Sequence, residues 1–435
     1  MKLDSKRKKA AKVLSIILCI CLLAGIFTGQ RAEASADDAS AISDIYSSIL
    51  KSDADPGADS TWHVLGITRS EEGSRQSYCN AYYDNVTDEL LSEDSTIGSS
   101  YSDYAKIIIG LTACGFDASA TDAGNLLKYL SDFNKVSAQG INGVAYALIA
   151  VNAHPSYSIP KLPVIEASGD ASGDVDASGD ASGDAFESLQ NSEARMIDYI
   201  LSSVITTDKG SGWALFGKVP DVDITAIVLT SLSPYYDSDS RVQKAVDNAI
   251  KWLSNAQEDD GGYYCLSAGS SVENCESVSQ VVVALCALGI DPDTDSRFIK
   301  NGNSAYSALL GFYNGEGDFC HTESADAGGL ATTEGFYALV AYNRFITGKT
   351  ALFNMSDVEI VAMADEADEM ALADHAGKDS GSKNSKNKSS KSTVPMYALV
   401  LYYAVGISVI LAGIVLISTW LKSRKKNKED GKNKK

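Results

Sequence analysis

The chain contains repeated helical runs that are apolar on every side, each separated from the next by more polar sequence. A helix that is apolar all round must be buried all round. A weaker run of this kind begins at Trp62. The five clear runs are 104–115, 142–153, 223–233, 276–289 and 333–345. These runs predict a set of inner helices inside a large core.

Other runs are apolar on one face only. Val242, Val246, Ala249, Ile250 and Leu253 fall at the spacing of a helix that covers a core from outside. Inner helices wrapped by such outer helices predict an all-α fold, an α/α toroid with about six inner and six outer helices. We place this domain at 40–356.

The inner runs also recur at a regular interval, which indicates repeats of two helices. Asp223 and Glu276 are 53 residues apart, and Glu276 and Thr332 are 56 residues apart. Six inner helices are enough to close a ring. An open solenoid is the alternative, and a chain this short with no obvious capping repeat favours closure.

Both ends of the chain carry targeting signals. Residues 1–34 combine a basic start, a short apolar stretch and a small-x-small cleavage site, which is typical of a signal peptide. Residues 395–421 are uncharged and long enough to cross ~30 Å of hydrocarbon. The basic segment 422–435 that follows predicts a cytoplasmic tail. We therefore expect a single-pass protein of the cell membrane with its body outside.

Two low-complexity segments interrupt or extend the body. The insertion at 161–186 contains ASGD repeats, whose composition is that of a flexible acidic linker. The segment 357–394 is rich in Ser, Lys and Asn, and we interpret it as a disordered stalk. The formal net charge is −20 although both ends are basic, so the body is strongly acidic. This charge argues against nucleic acid as a partner.

Cysteine usage agrees with export. Six cysteines lie outside the signal peptide, an even number that permits disulfides. Cys265 and Cys275 flank a polar loop and are the predicted pair. No C-x-x-C occurs, and only His321 beside Cys320 is placed usefully for a metal, so no metal site is predicted.

One segment of the body resembles a known repeat. Gln257-x-x-x-Gly261-x-Tyr263 is similar to the Q-x-x-x-G-x-W motif of the prenyltransferase and squalene-cyclase superfamily, with Tyr in place of Trp. The wider pattern, which includes WHVLGITR, QGINGVAYALIAV and FYALVAYNRF, resembles cell-surface proteins of Gram-positive bacteria. Those proteins carry a toroid similar to that of intrinsic factor and transcobalamin. The resemblance implies a terpenoid-cyclase-like α/α toroid.

The same resemblance offers a candidate acid. Asp221-Val-Asp223-Ile-Thr225 looks like the D-x-D-D-T motif of terpene cyclases, in which the middle Asp protonates an alkene. The last Asp of that motif is Ile224 here, which removes part of the carboxylate crowding that keeps such an acid protonated. We therefore interpret Asp221 as a helix N-cap and Asp223 as a favourable charge near the helix start. If the chain is cyclase-like, these two residues are its catalytic acids; otherwise no catalytic residue is predicted.

The starts of the inner helices form the predicted binding site. In a closed ring these ends converge, and a mix of apolar walls and a few polar groups suits a small ligand. Asn142 and Glu334 also lie at such starts. The predicted ligand-binding residues are Trp62, Tyr104, Asp221, Asp223, Trp213, Glu276, Gln280 and Tyr337.

Three functions follow from this site. The first is a membrane-anchored extracellular binding protein that captures a small ligand, for which the resemblance suggests a corrinoid passed to a membrane uptake system. No other cofactor is predicted. The second is an active or degenerate terpene cyclase or prenyltransferase-like enzyme. The third is an adhesion or scaffold module that binds a surface protein, which a filled ring centre would favour.

Overall fold

The computed structural model describes residues 36–98, 100–162, 189–264, 273–322, 325 and 327–363. Twelve α-helices run through this described part, joined by short 3₁₀ turns and two small β-hairpins, β1–β2 (Ile205–Thr207, Gly210–Gly212) and β3–β4 (Ile299–Lys300, Asn303–Ser304). In chain order the helices are α1 (Ala36–Ser52), α2 (Thr61–Ser70), α3 (Gln76–Leu91), α4 (Ser102–Ala113), α5 (Phe133–Val136), α6 (Gly140–Val151), α7 (Glu193–Ser202), α8 (Val222–Leu232), α9 (Ser240–Ala256), α10 (Cys275–Ala287), α11 (Ala305–Gly311) and α12 (Gly329–Thr347).

The even-numbered helices form a closed ring. Helix α2 packs on α4, α4 on α6, α6 on α8, α8 on α10 and α10 on α12, and α12 returns to α2. Each odd-numbered helix packs on the outside of at least one ring helix. The two kinds of helix therefore alternate along the chain and in space.

The burial of each layer follows its sequence pattern. In α10 every residue from Ser277 to Cys286 is buried, as an inner helix requires. In α9 the buried side chains include Val242, Val246, Ala249, Ile250 and Leu253, the predicted one-sided stripe. The all-α prediction is confirmed over the described residues, and the six ring helices begin within about four residues of their predicted starts.

Side-chain caps define where several helices begin. The Asp221 side chain accepts a hydrogen bond from the backbone N of Ile224 at 3.1 Å, so the residue is the N-cap of α8. Asn274 caps α10 in the same way, accepting from the backbone N of Ser277 at 2.9 Å. These caps satisfy backbone N–H groups that have no partner inside the helix. The interpretation of Asp221 as a cap is thereby confirmed.

The Gln257–Tyr263 motif ties an outer helix to its neighbouring hairpin. Nε2 of Gln257 donates to the carbonyl oxygens of Gly261, at 3.0 Å, and Phe298, at 2.9 Å. Gly261 has φ +92, and a Cβ there would lie 2.4 Å from the carbonyl oxygen of Ser304. Tyr263 is fully buried. Each residue type in the motif therefore has a structural role in the repeat.

The ring closes at a seam between its first and last helices. Gly66 of α2 lies so close to Phe336 of α12 that a Cβ would be 2.4 Å from the ring. Two buried arginines, Arg69 of α2 and Arg344 of α12, both bond to the Asp357 carboxylate. The Gly66–Phe336 contact and the shared Asp357 carboxylate thus join α2 and α12, the ring helices that are farthest apart in sequence.

Residues 349–363, here called the strap, follow α12 and cross the ends of several ring helices. Met355 is buried and its backbone N donates to the carbonyl oxygen of Ala153 at 2.8 Å. The backbone N of Val361 donates to the carbonyl oxygen of Gly115 at 2.8 Å. Packed structure therefore continues past residue 356, where we expected the domain to give way to a stalk.

Several predicted segments lie outside the described residues. These are the signal peptide, most of the acidic insertion, the stalk beyond 363, the apolar segment 395–421 and the basic tail. In the part that is described, no helix has the length and hydropathy needed to span a bilayer. The membrane topology therefore stays a prediction.

Candidate functional site

The structure brings five predicted site residues together where the ring helices begin. We call this place the N-terminal mouth and define it by Trp62, Asp223, Glu276, Gln280 and Tyr337. Glu334, on the first turns of α12, lies among them: Nε2 of Gln280 donates to its Oε2 at 3.0 Å. The same Nε2 contacts the hydroxyl oxygen of Tyr337 at 2.5 Å. Two neighbouring ring helices, α10 and α12, thus contribute hydrogen-bonded side chains to one polar cluster.

The carboxyl groups of Asp223 and Glu276 act on the buried carboxyl group of Glu334 at the mouth. Burial raises the pKa of Glu334 to about 8, and the charges of Asp223 and Glu276 add to the rise although the hydrogen bond from Gln280 opposes it. The Oε2 of Glu276 also lies 2.8 Å from Nδ1 of the exposed His321. Glu334 is therefore a group at the mouth that holds a proton near neutral pH.

Aromatic rings fill the centre of the ring of helices below this cluster. The Trp62 ring lies 5.6 Å from that of Tyr146, 6.3 Å from that of Tyr337 and 6.2 Å from that of Phe353, measured between centroids. The space left among these rings, Gln280 and neighbouring aliphatic residues is about 10 Å³. That volume holds about one water molecule and excludes an organic ligand.

The other predicted residues have different surroundings. Trp213 is fully buried, and its indole N–H donates to the carbonyl oxygen of Ile200 at 2.8 Å. Tyr104 stacks on Tyr129 with ring centroids 3.7 Å apart. Asp221 is the buried cap of α8. The structure uses these three side chains for packing and capping, and their role in ligand binding stays a prediction.

One partner of the predicted Cys265–Cys275 disulfide lies among the described residues. Cys275 carries a free, buried thiol whose Sγ lies 3.6 Å from the carbonyl oxygen of Ala331. Burial raises the pKa of this thiol. Cys265 lies outside the described residues. Among the residues that are described, no group of three potential ligands is arranged to hold a metal ion.

A chain of hydrogen bonds that the sequence pattern did not indicate runs beside the mouth. Nδ1 of His63 lies 2.8 Å from Oδ2 of Asp53, and Nε2 of His63 lies 2.9 Å from Oγ1 of Thr333. Tyr78 donates its hydroxyl to the same Asp53 oxygen at 2.8 Å. Thr333 also bonds to the carbonyl oxygen of Gly329 at 3.1 Å. The residues are 10 and 270 positions apart in sequence, so no local motif marks the cluster.

A cavity of about 550 Å³ opens at the opposite ends of the ring helices. We call it the C-terminal cavity. Its walls come from the last turns of α6, α8 and α10, from the loop after α6, from the start of α7 and from the strap. The lining residues are Ile149, Val151, Asn152, His154, Pro155, Tyr157, Glu193, Thr230, Ser231, Ser233, Pro234, Val283, Ala287, Ala351, Leu352, Phe353, Asn354 and Ser356.

A hydrogen-bonded group fixes one polar wall of this cavity. The Tyr235 hydroxyl donates to Oε2 of Glu193 at 2.6 Å and accepts from Nδ2 of Asn152 at 2.7 Å. Nδ2 of Asn152 also lies 2.8 Å from the carbonyl oxygen of Leu148. Glu193 is thereby held in one orientation at the rim. Asn152, His154 and Glu193 belong to loops or helix ends without a repeated pattern, which is why the sequence did not reveal them.

Comparison with known proteins leaves the family open. No protein-family model and no curated protein matches the chain. One solved structure, a polysaccharide lyase, aligns with a TM-score of 0.47 at 12% identity, over 72% of this chain and 98% of that chain. A likeness this distant carries no argument about activity.

Proposed function

We propose that this chain is a membrane-anchored extracellular binding protein that captures a small ligand in its C-terminal cavity. The observation that carries the proposal is the contrast between the two ends of the ring. The ring centre below the N-terminal mouth leaves about 10 Å³ of space, whereas the C-terminal cavity offers about 550 Å³. Pockets of ~300–1,000 Å³ are typical of small-molecule sites.

The walls of the C-terminal cavity support binding. Apolar side chains such as Ile149, Leu352 and Phe353 line it together with the amide of Asn152 and the carboxylate of Glu193. Apolar surface supplies affinity, and a few oriented polar groups supply specificity. The fixed Tyr235–Glu193 hydrogen bond means that one polar group is already in place before a ligand arrives.

The finer fold assignment belongs with this proposal. We infer that the closed ring is an α/α toroid of the prenyltransferase and squalene-cyclase type. The alternation of ring and outer helices and the structural use of Gln257, Gly261 and Tyr263 support this assignment. The predicted signal peptide at 1–34 and the predicted membrane span at 395–421 support an extracellular position for the domain.

The enzyme alternative has less support. A terpene cyclase must enclose a long hydrocarbon next to a protonated carboxyl group. Glu334 supplies a proton, but the aromatic rings of Trp62, Tyr146 and Tyr337 occupy the space that a substrate would need. A corrinoid at the same mouth would have to rest on the rim instead of entering the ring.

An adhesion or scaffold role is the second candidate function. The filled ring centre is the observation that favours it, because a protein partner needs a rim and not a deep pocket. A surface protein bound at the N-terminal mouth would meet the carboxyl groups of Asp223, Glu276 and Glu334. In that case the ligand of the C-terminal cavity and the protein partner would bind at opposite ends.

A ligand screen by thermal shift and ligand-observed NMR on the purified full chain tests the proposal. The panel contains cationic, neutral and anionic metabolites together with cobalamin. Ala287→Trp places an indole in the cavity without removing a hydrogen bond, and Ala351→Trp is a second blocking variant from the strap. Ala287→Ser and the mouth variant Glu276→Gln are the controls.

We expect ligands that bind the wild type and both controls but neither Trp variant, provided that circular dichroism shows all variants folded. Binding that survives both Trp substitutions and disappears in Glu276→Gln would overturn the cavity assignment in favour of the mouth. Absence of any ligand across the panel would overturn small-molecule capture and favour the adhesion role.

A further inference from the structure

We propose that the ligand of the C-terminal cavity is a cation, a small molecule that carries an ammonium or quaternary ammonium group. This inference rests on the proposed binding function and names the class of ligand. It depends on four features of the cavity: the side-chain charges of its lining, the helix ends that point into it, its aromatic rings and the fixed position of its carboxylate.

The side-chain charge of the cavity lining is negative. Glu193 is the carboxylate among the lining residues, and the lining contains neither Lys nor Arg. His154 is the remaining titratable base there, and its Nδ1 is bonded to the hydroxyl of Ser156 at 2.7 Å. Within the described part of the chain, Glu193 makes no ion pair, so its negative charge is not cancelled by a neighbouring cation. An anionic ligand would meet repulsion from this carboxylate.

Three helix ends add negative potential. Helices α6, α8 and α10 all finish at the cavity, where Val151, Ser231 and Ala287 belong to the lining. The C-terminal end of a helix carries a partial negative charge of about half an elementary charge. One helix, α7, instead begins at the cavity, and its partial positive charge offsets about half of the Glu193 charge in its first turn. The summed field therefore favours a positive ligand.

Aromatic rings in the lining attract cations in addition to the negative charge. Phe353 of the strap and Tyr157 of the loop after α6 both line the cavity. The Tyr157 hydroxyl is occupied, since it lies 2.9 Å from Oγ1 of Thr112 and accepts from the backbone N of Ala118 at 3.0 Å. Its ring is therefore held in place. Ring faces attract ammonium groups, most strongly where water is excluded.

The carboxylate itself is prepared for a cation. Burial, followed by the hydrogen bond to Glu193, raises the pKa of Tyr235, so the phenol stays protonated and continues to donate. That bond uses Oε2 of Glu193 at 2.6 Å, and the residue belongs to the cavity lining. A carboxylate bonded to a neutral donor forms a pair with a net negative charge, whereas a carboxylate bonded to Arg or Lys forms a neutral pair.

Matched pairs of probes test the proposal. Calorimetric titrations of the purified full chain compare choline with its uncharged isostere dimethylbutanol, and tyramine with propylphenol. The variant Glu193→Gln keeps the acceptor for Tyr235 and removes the charge. Glu316→Gln removes one exposed charge far from the cavity lining and controls for the overall field.

We expect each cation to bind at least about tenfold more tightly than its isostere, because only the cation is attracted by the Glu193 charge and by the aromatic ring faces. Glu193→Gln should abolish this preference, whereas Glu316→Gln should leave it unchanged. Equal binding of a cation and its isostere would overturn the inference while leaving the cavity as a ligand site. Failure of every cation at millimolar concentration would also overturn it, and the panel with the Trp variants then decides separately whether the cavity binds anything.

Discussion

Nε2 of Gln280 on α10 donates a hydrogen bond to Oε2 of Glu334 on α12, 3.0 Å away. The bond joins two neighbouring ring helices at the mouth and connects a neutral amide with a carboxyl group whose pKa is about 8. Protonation of Glu334 and packing of α10 against α12 are therefore coupled at the mouth, whether or not a ligand binds there.

The pH dependence of stability should reflect Glu334. Its pKa in the fold lies above the ordinary value for Glu, so the folded state binds more protons than the unfolded state between about pH 4.5 and pH 8. The contribution of this group is fully present below that window and is lost as the pH rises through 8. Each tenfold change in proton affinity corresponds to about 1.4 kcal/mol.

Glu334→Gln removes this titration and keeps an acceptor for Gln280. We therefore expect the variant to gain stability relative to the wild type as the pH is raised from 5 to 9, measured by urea unfolding at several pH values. The exposed variant Glu316→Gln is the control and should track the wild type. A constant difference between Glu334→Gln and wild type over that range would contradict the assigned pKa.

The seam should depend strongly on Asp357. Arg69 and Arg344 are 3% and 1% exposed, and Asp357 bonds to both guanidinium groups. Asp357→Asn leaves two buried cations short of a counter-charge, which costs about 3–5 kcal/mol by comparison with other buried ion pairs. Guanidinium or urea unfolding measures the loss.

A surface pair provides the matched control for this seam. Asp198 bonds to Arg241 at 2.7 Å, and both side chains are more than half exposed, at 62% and 60%. Asp198→Asn should change stability by less than about 1 kcal/mol. Similar losses in the two variants would mean that the Arg69–Asp357–Arg344 group does not stabilise the seam.

Ring closure is tested by a single methyl group. In Gly66→Ala the added Cβ would lie 2.4 Å from the Phe336 ring, so α2 and α12 must move apart. We expect a loss of about 1–3 kcal/mol from overpacking. Gly311→Ala is the control, since nothing lies within 4 Å of its Cβ position and Ala favours a helix more than Gly does. A neutral Gly66→Ala would show that the seam is looser than the structure has it.

Two variants of Asp221 test whether this residue of the D-x-D sequence stabilises α8 as a cap or through its charge. Asp221→Ala removes the acceptor for the backbone N of Ile224 and should cost about 1–2 kcal/mol. Asp221→Asn retains a capping oxygen and should fold nearly as stably. Thermal unfolding distinguishes the two variants, and an equal loss in both would indicate that the charge of Asp221, and not its cap, stabilises the fold.

Many of the ring helices were predictable because buried apolar residues recur in the sequence at the spacing of a helix. The all-round apolar run at 276–289 became α10, and the stripe from Val242 to Leu253 became the buried face of α9. The starting point of α8 was predictable because Asp221 is a residue type that caps helices. Local patterns therefore determined the helices and their layers.

The position of the free space was not predictable. Which end of a ring stays open depends on side chains that meet across it, such as Trp62, Tyr146 and Phe353, which are far apart in sequence. The strap carries no periodic pattern, yet it forms one wall of the C-terminal cavity. Trp213 was predicted as a ligand contact because it is a large aromatic residue near a helix start. In the structure its side chain is fully buried in the core.

Hydrogen–deuterium exchange of the full chain, with and without the tightest ligand from the panel, tests the central claim most directly. A ligand in the C-terminal cavity should slow exchange in the strap at 351–356 and in the loop at 152–157. We predict protection there and none around Glu276 or Glu334. Protection confined to the starts of α10 and α12 would contradict this prediction and place the ligand at the N-terminal mouth.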